Sequence, residues 1–310
     1  MDFKYSWILS EYGVKVKNYS SVGHDHLNRN QVYIINDKFV LKIYGKFINW
    51  EREIESLSLI KNSEFRVPDI LDFGITLKEE LWLLMSKLPG NILSTVEKNY
   101  DSLTLGILYY EIGCRQARFH NCFAIENIGS LIKASNIYEN FKSYFEYEKQ
   151  KNRDVANYVI SKDYPEYDLF IEAFKKMKCL ESEIRGSFEI SFCHNDFSGR
   201  NIIVEEVNNR LIFSGLIDFE LYKPCNIEND ISKMLIKTYK KGFSKYYFEG
   251  YISINEKVFS TKDRKEYYML AACFDICRWA RTIDRAYYNE ALEIMMLVLN
   301  DKINEIFVDL

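Results

Sequence analysis

Apolar and polar positions alternate or recur along this chain in ways that predict a strand-rich beginning and a helical remainder. Phe39-Val40-Leu41-Lys42-Ile43-Tyr44 reads as a strand interior with one lysine inside it. The segment Asn49–Ile60 reads as a helix, with Asn49 as a possible cap. On it Trp50, Glu53, Leu57 and Ile60 fall at i, i+3, i+7 and i+10, one face. Glu53 therefore points with the apolar residues, where an unpaired carboxylate is costly. A lysine from the adjacent strand would satisfy it, whereas Glu51 and Glu55 fall off that face and read as solvated. Further on, Asn201–Val204 and Gly215–Phe219 read as two short strands joined by the polar turn Glu205–Arg210. Long helices are expected over Leu103–Asn121, Ser130–Val159, Tyr167–Glu183, Asp230–Tyr239 and Arg264–Arg285. Tyr138–Asn152 reads as amphipathic with a solvated charged face.

Composition narrows the field without naming a chemistry. The 310 residues suffice for two lobes or two small domains, and 47% hydrophobic content permits a sizeable core. With 41 basic and 45 acidic side chains the net charge is −4. That balance gives no bulk attraction for nucleic acid, so no nucleic-acid partner is expected, and a mildly acidic protein suits a cationic ligand. No apolar run is long enough to cross a bilayer and no membrane partner is expected. The seven cysteines, without a secretory leader, read as reduced thiols of a cytoplasmic protein, and a monomer is expected.

Chemistry concentrates in one stretch. His194-Asn195-Asp196-Phe197-Ser198-Gly199-Arg200-Asn201 has the spacing H-x-D-x4-N, and Ile217-Asp218-Phe219-Glu220 follows. A hydroxyl nucleophile attacking phosphorus must lose its proton, which calls for a carboxylate within hydrogen-bond reach; Asp196 is the candidate. Magnesium takes hard oxygen ligands, only one or two of them from protein, and Asn201 and Asp218 offer an amide and a carboxylate oxygen. No G-x4-G-K-[ST] is present, which excludes a P-loop. His24, Asp25 and His26 invite a metal reading but have no further ligand cluster in view, and they read as polar loop groups. His120 reads as a packing or capping histidine and His194 as a buttress of its loop.

These motifs together resemble those of the aminoglycoside phosphotransferases, within the protein-kinase-like small-molecule kinases. Val40-Leu41-Lys42 is similar to the phosphate-contacting strand, Arg52-Glu53 to its partner helix and Arg66–Ile70 to the link into the next strand. Leu83–Gly90 is similar to the segment joining the lobes, Ala117–His120 to the end of a long helix, and Asn229-Asp230-Ile231 to the family's Asp-Leu-Ala segment. The resemblance implies an α+β, two-lobed protein-kinase-like fold. Residues 1–90 would form a small antiparallel-sheet nucleotide-binding lobe plus hinge, and residues 91–310 a larger, mainly helical catalytic lobe. It implies ATP or GTP as phosphoryl donor and Mg2+ as cofactor. Lys42 would hold phosphate, Glu53 would hold Lys42, and Asp196 would be the base. In the hinge, the Ser86 carbonyl and Leu88 amide would read the purine, with Met85 nearby. A small-molecule hydroxyl acceptor is implied, an aminoglycoside first, with choline, a sugar or an amino alcohol as the alternative. A non-catalytic nucleotide-binding relative is the third reading. For a cationic acceptor the carboxylate candidates are Glu220, Glu228, Asp230, Asp275 and Asp284, with Trp279 as a stacking surface; Asp230 could instead cap the helix it opens. One departure is the single glycine in Ser20–Asn30, where protein kinases carry a glycine-rich loop.

Overall fold

The computed structural model describes residues 3–22, 30–61, 63–123, 144–182, 184, 190–208 and 210–307. It divides into two compact units, Met1–Val96 with Gly199–Tyr222, and Glu97–Ser198 with Lys223–Leu310. His24, Asp25 and His26 lie outside the described residues.

The first unit is built on an antiparallel sheet in the order β1-β2-β3-β5-β4. Its strands are β1 (Tyr19–Ser21), β2 (Gln31–Ile35), β3 (Phe39–Tyr44), β4 (Ile70–Ile75) and β5 (Leu81–Ser86). In β3 the side chains alternate, as a two-residue period requires. Leu41 and Ile43 join Phe3, Ile8, Leu9, Ile35, Trp82 and Leu84 in one apolar cluster. Lys42 and Tyr44 face the other way, toward helix α2 (Phe47–Ile60), which follows the short helix α1 (Ser6–Ser10). The helix expected from Asn49 thus starts two residues earlier. Lys46 stands at its N-cap without a side-chain bond, so Asn49 is not the cap. Packing fixes this start: the Phe47 and Trp50 rings lie 5.5 Å apart, and Trp50 meets Phe73 at 5.8 Å.

The expected hairpin is longer than its sequence pattern suggested. Strand β6 (Asn91–Ile92) precedes helix α3 (Leu93–Val96), and pairs with β8 (Ile202–Val207), which pairs in turn with β9 (Arg210–Leu216). Glu205–Val207 thus belong to a strand rather than a turn. At the open end the Ile217 amide donates to the Asn201 carbonyl at 3.0 Å, so Asn201 and Asp218 share one end of the hairpin. Asp218 lies just beyond β9 with φ +66°. Gly90 makes the approach to β6 possible: its φ is +101°, and a Cβ there would sit 2.4 Å from the Val204 carbonyl oxygen.

The second unit is mainly helical. Its described helices are α4 (Ser102–Cys122), α5 (Tyr144–Ile160), α6 (Tyr167–Leu180), α7 (Ile227–Tyr239), α8 (Ser244–Ile252), α9 (Lys262–Ile283) and α10 (Arg285–Leu299). Of the expected helix 130–159, residues 130–143 lie outside the described residues. The helix expected over 167–183 ends at Leu180. The one expected from Asp230 begins at Ile227 and is capped by Asn226, whose side chain accepts from the Glu228 amide, so Asp230 is no cap. The pattern read over Arg264–Arg285 runs from Lys262 to Ile283, with the Thr261 side chain as cap; Asp284 then caps α10, which the sequence reading did not anticipate. Helices α4 and α8 cross so closely that a Cβ on Gly113 would fall 2.0 Å from the Tyr247 carbonyl oxygen. A two-stranded ribbon pairs β7 (Ile190–Cys193) with β10 (Lys223–Asn226). All seven cysteines are free thiols. No described helix is long and apolar enough to cross a membrane.

Gly90→Ala should destabilise the protein by about 2 kcal/mol or more, since the new methyl meets backbone and the φ is unsuited to an L side chain. Urea unfolding checks this; a variant with unchanged midpoint would remove the close-approach argument.

Candidate functional site

In the first unit the chemistry centres on Lys42. Its place on β3 puts the ammonium on the α2 side of the sheet, 5% exposed. Glu53, at the buried face of α2, accepts from Nζ at 2.7 Å. Asp218 accepts at 2.6 Å and Glu220 lies 3.2 Å away. The Tyr44 hydroxyl donates at 2.6 Å to the same Glu53 oxygen, Oε2, that accepts from Lys42. Burial works against the ammonium, but Asp218 and Glu53 outweigh it and hold the Lys42 pKa well above its usual value. Burial raises the pKa of Glu53 and of Glu220 against the opposing pull of Lys42. Asn30 donates to Glu220 as well. Glu220, expected on the acceptor side, therefore belongs with the lysine cluster.

The carboxylate oxygens of Glu53, Asp218 and Glu220 come within 4.8 Å of one another. Asn201, 5% exposed, sits at the same hairpin end as Asp218. Amide and carboxylate oxygens are the donor set magnesium takes, so the residues present fit that ion. Met85 is buried and pairs with Val40. The Ser86 hydroxyl accepts from the Asp69 amide at 2.8 Å, and the Leu88 side chain is buried near Gly215. Glu55 is not simply solvated: the Tyr222 hydroxyl donates to it at 2.6 Å.

The second unit carries Asp196 on a loop held by a buried carboxylate. Asp230, on the buried face of α7, accepts from the Asn195 amide at 2.8 Å and the His194 amide at 3.1 Å. Gln116 donates to it at 3.2 Å, and His120 Nε2 stands 3.3 Å away while His120 Nδ1 meets the Tyr251 hydroxyl at 2.7 Å. Burial alone would raise the Asp230 pKa; the hydrogen bond and charge of His120, with His194 and Lys233, together outweigh this and hold it below the usual carboxylate range. Asn195 adopts φ +63° and its side-chain amide donates to the Cys193 carbonyl at 3.1 Å. The Asp196 amide donates to His194 Nδ1 at 3.3 Å, so His194 buttresses the loop from within. The Asp196 carboxylate pairs with Lys237 at 3.1 Å.

His120, Cys193 and Asp230 also lie within metal-ligand range of one another. Both Asp230 oxygens are taken by main-chain amides, and burial pushes the Cys193 thiol well up. His120 and Asp230 form a hydrogen-bonded anchor, and the Cys193 thiol donates instead to the Cys225 carbonyl at 3.4 Å.

The remaining acceptor candidates are engaged. Glu228 is paired with Arg264 and accepts from the Phe259 amide at 2.9 Å. Asp275 pairs with Lys233 at 3.0 Å and with Arg278 at 2.8 Å. Asp284 caps α10 through the Tyr287 amide. Trp279 is half-buried, with its ring 5.8 Å from that of Tyr287. Sequence reasoning missed the anchoring role of Asp230, the pairing of Lys237 with Asp196, and Tyr44. The signal for Asp230 was available: like Glu53, it shares a helical face with Ile227, Ile231 and Met234.

A family model described as the phosphotransferase enzyme family, APH, matches residues 21–263. No curated protein matches the chain. Among solved structures, the GDP complex of wild-type aminoglycoside 2'-phosphotransferase-IIIa aligns with a TM-score of 0.68 at 14% identity, covering 96% of this chain and 97% of that one. A streptomycin-ATP-APH(2'')-IIa ternary complex gives 0.58 at 14% identity, covering 99% and 100%. A thermostable mutant of aminoglycoside phosphotransferase APH(4)-Ia, in a ternary complex with AMP-PNP and hygromycin B, gives 0.66 at 10%, covering 96% and 98%. At such identities the likeness concerns the fold, which is the expected kinase-like one, with an antiparallel sheet in the N-terminal lobe and a helical C-terminal part.

Asp230→Asn should cost about 2–4 kcal/mol in urea unfolding, because the amide sets a donor against main-chain donors. The native carboxyl has a depressed pKa. Its contribution is therefore present above the unfolded value of about 4 and is lost as pH falls through the lower folded value. The variant should lack this share of the acid sensitivity; identical acid-unfolding curves for the two proteins would contradict the anchor.

Proposed function

We propose that this chain, which belongs to the APH phosphotransferase enzyme family, is an Mg-dependent O-phosphotransferase that moves the γ-phosphoryl group of ATP or GTP to a hydroxyl of a small molecule. The observation that carries this reading is the buried ion cluster in which Lys42 meets Glu53 and Asp218. A buried ammonium with two close carboxylates is an expensive arrangement to keep for packing alone. It suits a group that must present positive charge to phosphate oxygens.

In the proposed reaction the acceptor oxygen forms a bond to the γ-phosphorus as the bond from that phosphorus to the β,γ-bridging oxygen breaks. The hydroxyl proton passes to the Asp196 carboxylate, and the nucleoside diphosphate leaves. Lys42 donates to phosphate oxygens, oriented by Glu53 and, through Glu53, by Tyr44. Asp230 fixes the main chain on which Asp196 is borne. The Ser86 carbonyl and Leu88 amide read the purine. Magnesium, held by Asn201 and Asp218, would neutralise charge on the phosphate oxygens.

For the acceptor, the streptomycin and hygromycin B held by structural neighbours support an aminoglycoside. A specific observation favours the second reading, a metabolite kinase. Glu228, Asp230 and Asp275, expected to greet a polycation, are each committed to a cation or to main-chain amides.

Release of nucleoside diphosphate, measured across aminoglycosides, choline, sugars and hydroxy acids, tests the reading. Asp196→Ala should lower turnover on the order of 10²–10⁴-fold with nucleotide affinity nearly intact. Asp218→Ala should weaken magnesium-dependent nucleotide binding. Equal turnover by wild type and the Asp196 variant would remove the base, and magnesium-nucleotide binding with no turnover on any acceptor would favour the non-catalytic reading.

A further inference from the structure

Two lysines of the second unit have no ion-pair partner of their own among the described residues. Lys223 on β10 lies directly across the ribbon from Cys193, the residue that precedes His194-Asn195-Asp196. Lys151 on α5 comes near enough to be the strongest influence on its titration. That repulsion, together with burial, draws Lys223 down to about 8. Among the described residues neither lysine forms a hydrogen bond or an ion pair. The carboxylates around them are spent elsewhere. Asp275, whose charge also bears on Lys223 and Lys151, is bonded to Lys233 and Arg278. Glu148 accepts from Tyr144 at 3.0 Å, from Tyr268 at 2.9 Å, and from Asn229. Asp230 holds the loop.

The surrounding charge continues this sign. Lys233 reaches the Asn195 carbonyl at 3.4 Å, and Lys237, one helical turn on, pairs with Asp196. Ammonium groups thus lead from Lys223 along α7 to the loop that bears the base. Two like charges held together in half-buried surroundings are unfavourable until an anion joins them. The same ground is the wrong sign for a polyamine.

We propose that Lys151 and Lys223, with Lys233 beside them, form an oxyanion subsite that holds a carboxylate or phosphate group of the hydroxyl-bearing acceptor. Calling the ligand an acceptor rests on the phosphotransferase reading; the subsite itself rests on the lysines. Asp275, Arg278 and Trp279 share one face of α9, and an open pocket lined by Asp154, Val155, Tyr158, Arg278 and Trp279 adjoins it. That pocket offers the acceptor's carbon skeleton an aromatic wall.

The test is calorimetric titration of the full chain with four probes: glycerate, glycerol 3-phosphate, glycerol and kanamycin. Binding of at least one anionic probe is expected, weakened ten-fold or more by Lys223→Gln and by Lys151→Gln and largely kept by Lys223→Arg. Glycerol and kanamycin should bind at least ten-fold more weakly than the better anion. Circular dichroism confirms folding; if Lys223→Gln does not fold, Lys151→Gln on the helix surface carries the test. The glycerate and glycerol 3-phosphate arms separate a carboxylate site from a phosphate site. Failure of both anions to bind at tens of millimolar, binding indifferent to both lysines, or tighter binding of kanamycin would each overturn the proposal. Nucleoside diphosphate release is followed in parallel. Lysine-dependent anion binding without turnover on any acceptor keeps the subsite and removes the phosphotransferase reading, whereas turnover of kanamycin without anion binding does the reverse.

Discussion

Asp230 accepts from two successive main-chain amides, those of His194 and Asn195, while Gln116 and His120 fill its remaining capacity. A buried carboxylate pays heavily for lost hydration, and these donors return that cost only when all are in place. The loop conformation is therefore tied to the charge. Asn195 holds φ +63°, a backbone region that a non-glycine residue adopts at a cost, and the amides aimed at Asp230 over-determine it. The orientation of the Asp196 backbone follows from this constraint, as does the inward turn of His194, whose Nδ1 accepts from the Asp196 amide.

The first unit uses the opposite sign of the same device. There a buried ammonium is the charge that must be satisfied, and Glu53, Asp218 and Glu220 surround it. Burial raises the pKa of Glu53 and Glu220 even beside a cation, and the charge of Asp218 adds to the rise. Asp218, left-handed at φ +66°, is the member of this cluster that lies just past the end of β9. Its side chain is 38% exposed, against 2% for Glu53, so it is the more solvent-accessible partner of the lysine.

Much of this was legible in the sequence. The strand at Phe39–Tyr44, the amphipathic face bearing Glu53, and the H-x-D-x4-N run followed by Ile217-Asp218 all rest on local period or spacing. The Lys42–Glu53 pair follows from asking how a helix carboxylate on an apolar face is satisfied. The same question put to Asp230 would have found the loop anchor. It was passed over because Asp at a helix start also reads as a cap, and the true start at Ile227 was hidden by the Lys223–Asn226 strand before it. The partners of the acceptor carboxylates were hidden for another reason. Whether Glu228 or Asp275 meets a ligand depends on where Arg264, Lys233 and Arg278 fall in three dimensions, and spacing carries no such information. Asn49 failed as a cap because aromatic packing by Phe47 and Trp50 extended the helix past a local preference.

The first unit is discontinuous: its chain departs after Val96 and returns at Gly199. During translation Lys42 emerges with Glu53 only eleven residues behind it, while Asp218 follows 176 residues after the lysine. A nascent chain thus holds its lysine with a single close carboxylate until the whole of Glu97–Ser198 has left the ribosome. The unit that begins first is completed late, and the returning hairpin must close a loop whose span is shortened if the intervening helices have already folded.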